Sequence, residues 1–250
     1  AAISRYFGAG AVSSAFFFAF LLPNLARRLF GEGALSAAFV PAYTKLLDED
    51  PARAKALASL TIAKLILLLG TVVVIGEIFL WGLLCWSPST DGTFGLMMTM
   101  LPYMPLVCVV AILGGVLQTH GRFGPTASAP IILNACMIGA IIFFADVFTT
   151  VQDHMMMVGI AVVVAGVLQV AWSLHALRRI SWWTRETDCG KEDLRTMVRK
   201  LIPTIVGLGT MQLNTLLDGL IASYPVVIGS TIFGVVYPLS ESANASLNFA

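Results

Sequence analysis

Charge is scarce in this chain. Of its 250 residues 12% are charged and 58% are hydrophobic, whereas soluble domains carry about 25% charged residues. Fifteen basic and fourteen acidic side chains cannot coat a soluble globule of this length, so one or two soluble domains give way to a chain immersed in lipid. The mean hydropathy of +0.86 agrees. A formal net charge of +1 leaves no basic field for phosphate backbones, which excludes nucleic acid as a partner. Cysteine is sparse too. Cys85, Cys108, Cys136 and Cys189 show no C-x-x-C spacing, and His120, His154 and His175 are equally dispersed. Metal centres, redox centres and disulfide scaffolds therefore have no ligand cluster to build on, and no cofactor is expected. The cysteines read as buried small hydrophobes. No Met opens the chain, and no signal with a basic start, apolar core and cleavage site precedes its apolar runs, so it reads as an internal piece of something longer.

Long apolar stretches are what the chain does have. A membrane-crossing helix needs about 20 largely apolar residues at about 1.5 Å each. Five stretches meet this, at about 56 to 86, 94 to 118, 127 to 149, 155 to 177 and 201 to 222, and a sixth runs from near 226 to Ala250. Ahead of them, residues 11 to 46 suffice for one extended or broken helix. Pro23, Gly31, Gly33 and Pro41 interrupt it, and Arg27, Arg28 and Glu32 stand at its middle. The expected fold is an all-α, polytopic transmembrane helical bundle with seven spans, the last one cut.

Basic residues orient the bundle, because cytoplasmic loops retain Lys and Arg. Loops 45–55, 119–125 and 178–200 hold eleven of the fifteen, while loops 87–93, 150–154 and 223–230 hold none. The first three are expected in the cytoplasm. Arg5 then lies near the outer surface, and the segment ahead of it starts inside, one span earlier. Loop 178–200 pairs seven basic residues with Trp182 and Trp183. It reads either as a topology anchor on the anionic leaflet or as a surface for acidic headgroups or a partner. Its position also makes it a candidate interdomain linker.

Ionisable groups at bilayer depth cost roughly 2.5 to 3.5 kcal/mol each on insertion scales, so each needs a reason. Lys64 can snorkel, Glu77 is near the end of its span, and Glu241 follows Pro238. Arg27 and Arg28 have no such exit. Proline removes an amide donor and frees a carbonyl, which lipid tolerates only where protein or a wet cavity satisfies the backbone. Arginine keeps its charge in any pocket and offers a fork that grips phosphate bidentately. A cavity lined by Arg27 and Arg28 suits a diphosphate or another anionic headgroup. An internal pair of either arginine with Glu32 explains the spacing equally well. Asp218 could partner an arginine, hold a proton or cation, or make a helix–helix hydrogen bond.

The stretch from Phe7 to Tyr43, FGAGAVSSAFFFAFLLPNLARRLFGEGALSAAFVPAY, resembles the MurJ/MviN family of bacterial lipid II flippases, within the MOP transporter superfamily. The family's FGAG turn, its D-A-F-F-x-A-F run, its P-N-L-x-R-R-x-F core and its E-G-A-F-S-x-A-F-V-P run recur there. LPYMPLVCVVAILGGVLQTHGRFGPTASAPIILNACMI, with Arg122, Phe123, Pro130 and Asn134, resembles the fourth and fifth helices, and GVLQVAWSLHALRR the sixth. LIPTIVGLGTMQLNTLLDGLIAS, with Gln212 and Asp218, resembles the seventh.

The resemblance implies a fourteen-helix protein of two six-helix lobes plus a C-terminal pair, with alternating access and a central cationic cavity for the pyrophosphate of lipid II. This chain would cover about half of it, as a MATE-like N-lobe plus the start of the C-lobe. Residues 1–180 would be the N-lobe from the end of helix 1 through helix 6, 181–200 a cytoplasmic basic linker, and 201–250 helix 7 and part of helix 8. The second-helix cavity arginine maps onto Arg27. The implied substrate contacts are Arg27, Arg28, Asn24, Arg5 and Ser14. Ser14 stands where the family often has Asp, which removes a charge at that site. Glu32, Asn134, Gln212 and Asp218 would be polar groups of the cavity or the packing, and Pro23, Gly31 and Gly33 a hinge. The implied location is the bacterial cytoplasmic (inner) membrane. The implied partners are lipid II, membrane lipids and the cell-wall synthesis machinery, with coupling to sodium, protons or the membrane potential left open.

Transport, not bond breaking, is the expected chemistry. A polyprenyl-phosphate transferase would want a DDxxD pair or an acid and base on cytoplasmic loops, and Asp48, Glu49 and Asp50 read as a solvated turn. An ion-coupled exporter of drugs or polysaccharide intermediates from the same superfamily fits the bundle but not the PNLxRR and EGAxS motifs.

Overall fold

The computed structural model describes residues 11–28, 34–86, 92–145 and 147–223, with side chains for 15–28, 35–86, 92–145, 147–207, 209 and 210. Arg5, Gly31, Glu32, Gly33 and the span expected from 226 lie outside them. The described residues form helices and no strand. In chain order these are α1 (Ala11–Ala26), α2 (Ala34–Glu49), α3 (Pro51–Trp86), α4 (Thr93–Met100), α5 (Tyr103–Thr119), α6 (Gly124–Phe143), α7 (Val151–Leu177) and α8 (Lys191–Ser223), with a 3-10 turn at Asp188–Gly190 before α8. Within the 11–46 segment α1 runs into a π-helical turn at Arg27 and Arg28, and α2 is described from Ala34; whether the helix breaks between them lies outside the described residues. Among the described residues four segments are long and apolar enough to cross a membrane: Pro51–Trp86, Thr93–Thr119, Gly124–Phe143 and Val151–Leu177. The apolar stretch at 201 to 222 lies within α8. The chain is a polytopic helical membrane protein.

The 94 to 118 stretch is divided into two helices. Leu101 and Pro102 separate α4 from α5, because proline cannot continue the amide ladder. α5 is the hub, packing against α1, α2, α3, α6 and α7, and twelve of its residues are buried. α3 shows the opposite pattern. From Leu65 onward its buried residues are Leu65, Leu69, Val73 and Leu80, one stripe at helical spacing. Ile66, Leu67, Val74, Ile78 and Trp81 on its other faces are exposed, as lipid-facing side chains are. Burial therefore misses most of this chain's apolar surface. The cysteines illustrate it and correct the expectation of burial: Cys108 is buried, Cys136 half-buried, and Cys85 and Cys189 exposed. Cys85 has apolar neighbours on a lipid-facing span, and Cys189 lies in the polar turn before α8.

At 36 residues α3 is about 54 Å long, against a hydrocarbon core of about 30 Å. Its first turns project beyond that core and are enclosed by protein. Ala56, Leu57, Ala58, Ser59, Leu60 and Thr61 are all buried in succession, because the segment after α7 wraps them. Arg53 donates from Nε and Nη2 to Oδ2 and Oδ1 of Asp193, at 3.0 and 2.6 Å, a bidentate fork. The Thr184 amide donates to Ser59 Oγ at 3.0 Å. Gly190 lies against the α3 backbone so closely that a Cβ there would stand 2.9 Å from the Ala56 carbonyl carbon. In the exposed turn Lys191 donates to Asp188 and holds that carboxylate below its usual range. This contact is present above the ordinary carboxylate range and is lost as pH falls through the lowered value.

The loop between α5 and α6 closes by a Schellman motif. Gly121 takes φ +72°, the Arg122 amide donates to Leu117 O and the Gly121 amide to Gln118 O. Arg122 then reaches the Ala176 carbonyl in the last turn of α7. The contacts of Arg122 with Ala176, Arg53 with Asp193 and Thr184 with Ser59 bring the three basic loops to one end of the bundle. Gly92 and Gln152 adjoin one another at the start of α4 and α7. Contacts divide the chain after Ile205, with a second unit beginning at Val206, so the docked 178–200 segment belongs to the first unit.

Seating of that segment on α3 is testable. Gly190→Ala forces backbone apart at a cost of about 1–3 kcal/mol, which raises the opened population by about fivefold to somewhat over a hundredfold. Trypsin should then cut after Arg185 or Lys191 at correspondingly lower protease concentration than in the wild type. Unchanged cleavage would show that the segment is not seated there.

Candidate functional site

The site starts from the spacing of three α1 residues. Phe16, Ala19, Pro23 and Ala26 form the buried stripe of α1, and Phe20, Asn24 and Arg27, at i, i+4 and i+7, share the adjoining face. That face lines a cavity of about 500 Å³, within the range of small-molecule sites. The lining continues along α5 from Tyr103 to Gln118, about 22 Å of helix. It is completed by Ser36 of α2, Thr126, Pro130 and Asn134 of α6, and Gln169 of α7. Phe20 stacks on Tyr103 with centroids 6.3 Å apart, closing one side.

Arg27 is the cation of this cavity. It donates from Nε and Nη2 to Asn24 Oδ1 at 3.2 and 3.0 Å, so an amide one turn back on the same helix braces the guanidinium without adding charge. Among the described residues none of the lining is acidic. The end of α1 is secured from α5, where the Cys108 thiol donates to the Ala26 carbonyl at 3.7 Å. Arg28 is half-buried and is not part of the lining. Pro23 is buried inside α1.

Across the cavity, Pro130 lies inside α6 and withdraws the amide that the residue 126 carbonyl would have used. Gln169 braces that region, its Nε2 donating to Ala129 O at 2.8 Å. Gln169 is 3% exposed, and its Oε1, like Thr126 Oγ1, is buried without a hydrogen-bond partner.

The structure thus brings Asn24, Arg27 and Asn134 to one cavity. The side chains of Ser14, Gln212 and Asp218 lie outside the described ones, as do Arg5, Glu32 and the glycines at 31 and 33. Sequence reasoning followed charge and missed Ser36, Gln118, Thr126 and Gln169. A signal was available for the two glutamines. The tetrapeptide Gly-Val-Leu-Gln occurs at 115–118 and again at 166–169. In each copy the glycine admits a close neighbour. A Cβ at Gly115 would stand 3.1 Å from Val40 Cγ2, and one at Gly166 would stand 2.7 Å from Tyr103 Cδ2. In each the glutamine, one turn later, lines the cavity.

Comparison with known proteins decides the family. The model of the family described as lipid II flippase MurJ matches residues 3–239. The chain belongs to the MurJ family. The probable lipid II flippase MurJ of Bdellovibrio bacteriovorus is 31% identical over 230 residues, 85% of this chain and 42% of that protein. The Haemophilus influenzae probable lipid II flippase MurJ is 30% identical over 89% of this chain and 46% of its own length. The lipid II flippase MurJ of Burkholderia cenocepacia is 31% identical over 88% and 45%. The chain spans a little under half the length of these curated relatives.

The cavity wall makes a prediction of its own. Gly166→Ala drives a methyl into Tyr103 and should destabilise by about 1–3 kcal/mol. Gly139→Ala, whose nearest neighbour would be Phe143 at 3.8 Å, should be neutral or stabilise by up to about 1 kcal/mol through helix propensity. Thermal unfolding in detergent distinguishes them, and equal midpoints would refute the tight α5–α7 crossing.

Proposed function

We propose that the full-length protein to which these residues belong translocates lipid II, the undecaprenyl-pyrophosphate-linked muropeptide, across the bacterial inner membrane by alternating access. Arg27 holds the pyrophosphate. The observation that carries this reading is a cavity among the apolar helices whose described lining holds Arg27 as its cation, hydrogen-bonded to Asn24, and no acidic residue. A carrier of a lipid-linked anion needs a charge that desolvates with its ligand and grips phosphate by directed N–H groups, and arginine meets both needs. The names of the relatives support lipid II as the cargo. In this reading the headgroup enters from the basic-loop end, which faces the cytoplasm, the lobes close around it, and it leaves on the outer face for cell-wall assembly. No bond is made or broken.

Arg27→Ala in the full-length protein should abolish rescue of a strain depleted of its own flippase, and Arg27→Lys should rescue poorly because one ammonium cannot replace a bidentate fork. Normal growth with the alanine variant would refute the role. Orientation is checked separately by single-cysteine labelling: a cysteine placed at Asp91 should react with an impermeant maleimide from outside, and one at Lys191 should not. The reverse pattern would invert the topology.

A further inference from the structure

Phosphate does not account for the whole cavity. Three buried side-chain polar atoms lack a hydrogen-bond partner among the described residues, and two of them, Gln169 Oε1 and Thr126 Oγ1, belong to cavity-lining residues. Leaving such atoms unpaired is unfavourable, so each points to a ligand or solvent group as its partner. The Gln169 amide has one orientation, because the Ala129 carbonyl accepts only from Nε2. Its Oε1 is therefore an acceptor and nothing else.

Diphosphate oxygens at neutral pH are acceptors as well, and Gln169 Oε1 has nothing to offer them. It requires an O–H or N–H. The Thr126 hydroxyl both donates and accepts, so together the two residues match a group carrying hydroxyl or amide hydrogens. A volume of about 500 Å³ holds a charged group together with the polar group attached to it. We propose that Gln169 and Thr126 form a subsite for the hydroxyl- and acetamido-bearing sugar next to the diphosphate at Arg27, and that they make the site prefer glycosylated over bare polyprenyl diphosphate. This rests on the headgroup reading above and adds a specificity element to it. A site built around directed polar partners rejects the ligand that lacks them, since its own groups are then left unpaired.

The test compares binding of lipid II and of undecaprenyl diphosphate to the purified full-length protein in detergent, for the wild type and for Thr126→Val, Gln169→Met and Arg27→Ala. Valine keeps the shape of Thr126 and removes a hydroxyl with no protein partner, so its thermal midpoint should match the wild type. Gln169→Met also loses the brace to Ala129, which makes the valine variant the cleaner arm. The expected result is that both variants lower the ratio of lipid II to undecaprenyl diphosphate affinity by about tenfold, whereas Arg27→Ala weakens both ligands and leaves the ratio near its wild-type value. An unchanged ratio in Thr126→Val and Gln169→Met, with both ligands weakened by Arg27→Ala, overturns the sugar subsite alone. If Arg27→Ala weakens neither ligand, the diphosphate reading falls and the subsite with it.

Discussion

Inside hydrocarbon a backbone amide or carbonyl has no water to turn to, so every interruption of a helix must be satisfied by protein or by a polar cavity. The unit ending at Ile205 is organised by that constraint. α1 and α6 each carry an internal proline, Pro23 and Pro130, and each contributes to the wall of the same cavity. Around them, polar side chains go where the backbone is weakened. Asn24 braces Arg27 at the π-helical turn, Cys108 donates to the Ala26 carbonyl, and Gln169 donates to Ala129. The carbonyls freed by these prolines and the polar cavity belong together, because a freed carbonyl in hydrocarbon persists only beside protein or a polar interior.

Close packing has a different origin here from that in a soluble bundle. Lipid tails are as apolar as leucine, so burying α3 or α7 against α5 gains little from the hydrophobic effect, and association relies on close van der Waals contact. Small residues supply it. Gly114 faces Thr126, Gly115 faces Phe39 and Val40, and Gly166 faces Tyr103, so the neighbours of α5 approach nearly backbone to side chain. Outside the membrane the logic reverts to that of water-soluble packing. There the first turns of α3 are enclosed by the segment after α7 through a forked ion pair and a glycine contact.

Four of the spans were legible because twenty apolar residues in a row have few alternatives, whereas Pro23 and Pro41, expected to interrupt the 11–46 segment, lie inside α1 and α2. The division at Leu101 and Pro102 was not anticipated, since hydropathy stays high across it. Nor was the docking of the basic segment, because Arg53 and Asp193 are 140 residues apart and charge counting reads both as solvated. The cavity was half legible. Arg27 stood out because cations at that depth are rare, whereas Gln118, Thr126 and Gln169 are neutral and titrate nothing. Their role is defined by partners on other helices, and only the repeated Gly-Val-Leu-Gln hints at it.

The neutrality of Arg27's brace matters for a carrier. A guanidinium buried alone is costly, and a buried carboxylate would relieve it by several kcal/mol while cancelling the field that attracts an anion. Asn24 takes two of its N–H groups and adds no charge, so this contact orients the guanidinium without a carboxylate of its own. The other polar groups of the described lining are amides and hydroxyls, whose individual hydrogen bonds are worth about 1 kcal/mol net. In the reading proposed above, one charged contact at Arg27 supplies attraction while several weak neutral ones supply direction, so recognition does not depend on any single neutral group.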